Sequence, residues 1–187
     1  FGHDIITKKN IFGFKKNKKI NIKNRLYNKD LGGGAILDLG CYPVSFSKLI
    51  ASQISEINLN KIKVIEKKKT IGQTGVDIDA YMEISFGNSF VSKISASFNK
   101  DLGKGSKIIG SKGMLIIKDT WLAEPSIVNI FNHTNQEIKI ESNKNLYTYE
   151  IDSISKYLGE HINQTSFKGL KIDDSMINMK ILDMWIQ

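Results

Sequence analysis

Leu31-Gly32-Gly33-Gly34-Ala35-Ile36-Leu37-Asp38-Leu39-Gly40-Cys41-Tyr42-Pro43-Val44-Ser45 joins a run of glycines to a segment that reads as a helix. Residues without a Cβ let backbone approach backbone or ligand closely, so the glycines predict a sterically tight loop. After them, apolar residues at Ile36, Leu37, Val44, Phe46, Leu49 and Ile50 recur at roughly helical spacing, which predicts a helix ending near Ser52. Pro43 removes a backbone donor and crowds the preceding turn, so a kink or a restart is expected there. Asp38 and Tyr42 stand four apart, a spacing that points carboxylate and phenol to one face, and Ser45 extends that face by a turn.

Two readings of this pair stand side by side. In one, Asp38 caps or braces the glycine loop and Tyr42 buries its ring with the hydroxyl at the surface. In the other, Tyr42 is a general acid or base on an alcohol or carbonyl; its reference pKa of about 10 then demands a nearby cation. The segment itself supplies none, so the cation would come from elsewhere in the fold or from another domain. Cys41 points off the Asp38 face with no histidine beside it, and reads as a small buried residue. Neither the glycine triplet nor Gly103-Lys104-Gly105-Ser106-Lys107-Ile108-Ile109-Gly110 has the spacing of a phosphate-binding or dinucleotide-binding loop.

Composition narrows the classes further. The chain has 187 residues, 41% hydrophobic and 9% aromatic, enough for one sizeable core and one expected domain over residues 1–187. The longest apolar runs, such as Met114 to Ile117, fall far short of the ~20 residues that cross a bilayer, so no membrane partner is expected. The opening Phe1-Gly2-His3-Asp4-Ile5-Ile6 reads as the edge of a strand rather than a secretory leader. Cys41 is the lone cysteine, which excludes an intrachain disulfide and fits a reducing, cytoplasmic setting. His3, His133 and His161 lack metal-ligand spacing, so no metal is expected.

A net charge of +8 invites a nucleic-acid reading, but Arg25 is the only arginine, and base or bidentate phosphate contact favours arginine's planar fork. The runs Lys15-Lys16-Asn17-Lys18-Lys19 and Lys67-Lys68-Lys69 therefore read as solvated loops or strand ends. In so lysine-rich a chain the lone Arg25, just upstream of the glycines, is the better clue.

Strand patterns occupy most of the rest. Asp4 to Phe14 suits a strand, followed by a connection to Asp30. Lys61 to Ile65, Tyr81 to Phe86 and Phe90 to Phe98 alternate with period two, with a tight hairpin at Gly87-Asn88-Ser89. Ser106 to Ile109, Met114 to Lys118, Ile127 to Phe131 and Glu137 to Glu141 continue what reads as a meander. A helical stripe follows at Ile151, Ile154, Tyr157 and Leu158, then a last helix from about Asp173 to Ile186 with an Asp pair to cap it. The fold class is α/β of the α+β type, an open, mainly antiparallel sheet with helices on one face.

The glycine-aspartate-tyrosine segment resembles the signature of the carboxy-terminal domain of the Gfo/Idh/MocA family of NAD(P)-dependent oxidoreductases. Supporting segments follow the family's order: Phe12-Gly13-Phe14 and Arg25 upstream, then Thr74-Gly75-Val76-Asp77, Ile109-Gly110-Ser111-Lys112-Gly113 and Ile181-Leu182-Asp183-Met184-Trp185. Many members carry histidine in place of Tyr42 and an acid in place of Ser45. The tyrosine form is similar to the branch that includes dimeric dihydrodiol dehydrogenases and glucose-fructose oxidoreductase.

The resemblance implies that Tyr42 transfers a proton and that Asp38 helps organise the site. It implies a sugar-like or cyclic alcohol substrate, with Arg25 anchoring the glycine loop or reaching the substrate, and Trp121 walling the pocket or packing at a strand end. It also implies NAD or NADP held mainly by a preceding Rossmann domain, absent here, which supplies the cation as a lysine of a Glu-Lys-Pro motif. A homodimer or higher oligomer formed through the open sheet face follows from the same resemblance. The rival is a non-catalytic binding or regulatory module on the same scaffold.

Overall fold

The computed structural model describes residues 23–87, 89–121, 124–142, 145–159 and 169–187. The expected strand over Asp4 to Phe14, the Lys15 to Lys19 cluster, His3 and His161 lie outside them. Short 3-10 turns at Arg25–Tyr27 and Lys29–Leu31 lead through the glycines to a π-helical turn, Ile36–Gly40, which runs straight into α1 (Cys41–Ser52). After a 3-10 turn at Leu59–Lys61 come β1 (Lys63–Ile71), β2 (Asp77–Ser85), β3 (Val91–Ser97), β4 (Ser106–Gly110), β5 (Gly113–Ile117), β6 (Ser126–Phe131) and β7 (Gln136–Ile140), then α2 (Leu146–Gly159) and α3 (Ile172–Ile186).

Two compact units result. The first spans residues 1–103 and 172–187, the second 104–171. In the first, β1, β2 and β3 form an antiparallel sheet in sequence order. Alternation sorts β2 and β3 into two faces: Ala80, Met82, Ile84, Ile94 and Ala96 are buried against Ile36, Leu39 and Val44 of the helical segment and Ile181, Leu182 and Trp185 of α3. The opposite face carries Asp79, Tyr81, Glu83 and Lys93. This is the expected open antiparallel sheet with helices on one face.

The expected meander is divided between two ladders. At the end of β3 the Ser97 hydroxyl accepts from the amides of Asn99 (3.1 Å) and Lys100 (3.0 Å), turning the chain out of the sheet, and Gly103 at φ 75° keeps it turned. The second unit then builds its own antiparallel sheet in the order β4-β5-β6-β7. Its β4–β5 turn closes on Gly113 at φ 151°, where a Cβ would lie 2.3 Å from the Phe131 carbonyl oxygen. On α2 the predicted stripe exists, yet Ile151, Ile154 and Leu158 are all exposed.

Two local expectations are corrected. The first strand is not confined to Lys61–Ile65: β1 continues through Lys67-Lys68-Lys69. Lys67 and Lys69 pair opposite the inward Met82 and Ala80, and their ammonium groups donate to the carbonyls of Met184 (2.9 Å) and Ile186. These carbonyls end α3, where unsatisfied acceptors and the negative end of the helix dipole favour cations. The lysine run is thus a strand whose inner members cap a helix. The Asp173-Asp174 pair lies within the first turn of α3 rather than before it, and Asp174 forms an ion pair with the buried Lys48 of α1.

Candidate active site

The glycine loop owes its shape to the residues before it. Gly32, Gly33 and Gly34 donate their amides to the carbonyls of Lys29 (3.1 Å), Asn28 (2.8 Å) and Leu26 (3.0 Å). The loop therefore folds back onto the 3-10 turns. At Gly33 a Cβ would sit 2.6–2.7 Å from the carbonyl oxygens of Arg25, Asn28 and Leu26, so only glycine fits. Tyr27 fastens these turns to the sheet: it is buried, and its ring meets Phe98 at 5.5 Å.

This fold-back carries Arg25 across to the helix. Its guanidinium donates to Asp38 Oδ1 at 2.8 Å, with Asp38 largely buried and Arg25 64% exposed. An ion pair so exposed contributes about 0–1 kcal/mol to stability, and its effect is to fix the direction of the carboxylate. Asp38 lies in the π-helical turn, a form frequent at functional sites. Pro43, without an amide hydrogen, stands just inside α1, which is consistent with the expected restart. The turn also rests on Trp185, whose ring would lie 2.9 Å from a Cβ at Gly40.

Tyr42 follows as the second residue of α1 and is 45% exposed, so its phenol is accessible. Beside it, the Cys41 thiol donates to the Asp38 carbonyl at 3.6 Å. Burial pushes that thiol above its ordinary range; the Tyr42 amide opposes the shift and the Asp38 charge adds to it. A thiol kept neutral is a poor nucleophile, in line with the packing role. Trp121 belongs to the second unit, half-buried between β5 and β6, where its amide donates to Asp119 Oδ1 at 3.4 Å. The structure thus brings Arg25 and Asp38 together and sets Tyr42 on the following turn.

One residue escaped the sequence reading. Asp77, at the start of β2, accepts through Oδ2 from the Ile36 amide at 2.7 Å, and a Cβ at Gly34 would lie 2.4 Å from its Oδ1. A signal was present. The helical segment begins Gly-Gly-Gly-Ala, with no Ser, Thr, Asp or Asn to cap it locally, so its first amides require a distant acceptor.

The described residues do not fit the phosphates of a nucleotide at this loop. All three glycine amides are spent on internal carbonyls, and the helix start is occupied by a carboxylate rather than open to an anion. Nor do three His, Cys, Asp or Glu side chains among the described residues gather as a metal site. No helix among them is long and apolar enough to cross a membrane.

Residues 9–116 match the family model of the GFO/IDH/MocA C-terminal domain, and the chain belongs to this family. It is 27% identical to the trans-1,2-dihydrobenzene-1,2-diol dehydrogenase of Xenopus tropicalis over 169 residues, covering 87% of this chain and 49% of that protein. The mouse (Mus musculus) protein of the same name is 26% identical over 139 residues, 74% of this chain and 39% of that one. The chain thus spans about half the length, or less, of the curated relatives it matches.

Two solved structures share the fold. KijD10, a 3-ketoreductase from Actinomadura kijaniata in complex with NADP and TDP-benzene, superposes with a TM-score of 0.68 at 14% identity, covering 86% of this chain and 47% of that one. The aldose-aldose oxidoreductase of Caulobacter crescentus, complexed with glycerol, gives 0.70 at 14% identity, covering 89% and 49%.

Proposed function

We propose that the full-length polypeptide is an NAD(P)-dependent oxidoreductase of CH–OH groups, and that residues 1–187 form its substrate-binding and oligomerisation domain. The observation that carries this reading is the accessible Tyr42 phenol one turn beyond an Asp38 carboxylate held by Arg25, on the scaffold of this family. The relatives' names speak of diol dehydrogenation, ketone reduction and aldose oxidoreduction, which share one step: a carbinol and a carbonyl interconvert. A sugar-like or cyclic alcohol is the substrate class.

The nicotinamide supplies hydride chemistry and is held by the other half of the protein, since the glycine loop here has no free amides for its phosphates. In this chain Tyr42 moves the hydroxyl proton at its phenolic oxygen. Asp38, fixed by Arg25, orients that end of the helix. A nearby cation eases proton loss from a phenol, and the family resemblance implies that a lysine of the other half of the protein supplies it. The reducing cytoplasm, where a lone thiol stays free, suits the protein.

The full-length protein should reduce NAD or NADP with vicinal diols or aldoses, followed by nicotinamide absorbance. No exchange with either cofactor across sugars, keto sugars and cyclic diols would sink the enzyme reading in favour of a non-catalytic module.

The open face of β1-β2-β3 supports self-association. Lys93 pairs with Glu83 (3.2 Å), Lys100 with Asp79 (2.5 Å) and Lys68 with Glu66 (2.6 Å), and Tyr81 donates to Glu83 at 3.2 Å. Alternating charge of this kind is self-complementary under two-fold symmetry. Lys93→Glu sets like charge beside Glu83 and should convert a full-length dimer to monomer in sedimentation velocity. A dimer that persists unchanged moves the interface off this face.

A further inference from the structure

We infer that Asp77 is a positioning residue for Tyr42, acting through a cap that the sheet supplies to the helical segment. The inference rests on the oxidoreductase reading of the Tyr42 site and adds a residue to it.

Helix starts leave amide donors without intrahelical acceptors, and a side chain just before the helix ordinarily takes one of them. Here that place is filled by Gly34 and Ala35, and Ala35 offers no capping side chain. The Ile36 amide instead donates to Asp77, 41 residues away in sequence, at 2.7 Å. A carboxylate in this place forms a charge-assisted hydrogen bond and complements the positive end of the helix dipole.

The surrounding backbone is built for this contact. Asp77 opens β2 directly after a tight turn closed by the Gly72 amide on the Val76 carbonyl (2.8 Å) and by Gly75 at φ 82°. It is paired opposite Ile71 at a register shift in the ladder, so the sheet fixes its backbone. On the other side, Gly34 at φ 122° leaves room that a Cβ, 2.4 Å from Oδ1, would take away. A sheet residue and a loop glycine thus define where the first helical amide lies.

The consequence passes along a short, continuous path. Ile36 begins the π-helical turn, Asp38 is its middle residue, and Tyr42 follows in the same helical run. Arg25 fixes the side chain of Asp38, but Asp77 fixes the backbone that bears it. Releasing Ile36 frees the turn to slide or fray, and misplacing a reacting group by about 1 Å can cost roughly 10²-fold in rate.

The test compares Asp77→Ala, which removes the acceptor, with Asp77→Asn, which keeps an oxygen and loses the charge, in the full-length protein. Three experiments are run: steady-state kinetics, giving kcat and KM for alcohol and nicotinamide; alkylation of Cys41 by iodoacetamide, followed on its peptide; and hydrogen exchange at the Ile36 amide. Cys41 is informative because its thiol bonds to the Asp38 carbonyl in the same turn.

The alanine variant should lose about 10- to 100-fold in kcat with nicotinamide KM within about twofold, while Cys41 alkylation and Ile36 exchange accelerate about fivefold or more. The asparagine variant should recover to about threefold below wild-type kcat. A folded alanine variant with wild-type kcat overturns the inference, as does an asparagine variant no better than alanine. If the alanine variant does not fold, asparagine decides alone: kcat about threefold down with faster Ile36 exchange supports the inference, and wild-type kcat overturns it. If the wild-type protein itself shows no turnover, the oxidoreductase reading fails. Cys41 alkylation and Ile36 exchange in Asp77→Ala then judge the cap, and wild-type values of both overturn it.

Discussion

Tyr42→Phe in the full-length protein is expected to cut turnover by about 10²- to 10⁴-fold and leave nicotinamide affinity within about twofold. The substitution keeps the ring and removes only the phenolic oxygen, so the lost quantity is the proton and not the packing. Tyr42 is 45% exposed, and its replacement should change stability by no more than about 0.5 kcal/mol. Arg25 and Asp38 contact each other directly at 2.8 Å, and both are retained in the variant. Steady-state kinetics with circular dichroism as a folding control check the result. Turnover at the wild-type level would remove Tyr42 from proton transfer, and a matched rise in nicotinamide KM would assign it to binding instead.

Period-two alternation revealed β2 and β3 because each has one apolar face against the helices and one polar face. It failed for most of β1. There Glu66, Lys67, Lys68 and Lys69 are all polar, so a hydrophobic pattern cannot mark the strand. What makes it a strand is pairing with β2 and the use of Lys67 and Lys69 on the carbonyls that end α3. The division into two sheets was hidden for a related reason. Asn99 to Gly105 resembles any hairpin connection, and only the Ser97 hydroxyl turning back two amides shows the chain leaving the ladder.

At the candidate site, spacing carried part of the answer. Asp38 and Tyr42 are separated by one helical turn in sequence and in the structure, and Pro43 marked the disturbance. That the disturbance is a π-helical turn was not legible, since nothing in the local spacing marks one, and the Trp185 ring that packs against Gly40 comes from the far end of the chain. The scarcity of arginine singled out Arg25, but its partner emerged only once the glycine amides folded the loop back. Asp77 stood inside a quoted motif without a role, because a cap delivered from another element leaves no local spacing to read. The missing cap before Ile36 was the legible half of that contact.

The other large effect expected is on stability. Trp185→Ala should destabilise the first unit by about 3–5 kcal/mol, the usual cost of emptying a buried aromatic site. Trp185 is 1% exposed, its indole N–H donates to the Tyr81 carbonyl at 3.1 Å, and its ring lies under the π-helical turn at Gly40. Truncation therefore removes packing between α3 and the turn and takes a donor from β2 in the same step. Gly40→Ala attacks the contact from the opposite side: its Cβ would lie 2.9 Å from the ring, and overpacking of this kind costs about 1–3 kcal/mol. Because both changes act on one space, the double variant should be less destabilised than the sum of the singles, with a coupling of about 0.5–3 kcal/mol. Thermal unfolding midpoints of the full-length protein and its three variants measure this cycle. Strict additivity would show that the ring does not bear on the turn, and that Asp38 and Tyr42 owe their placement to the glycine loop and Asp77 alone.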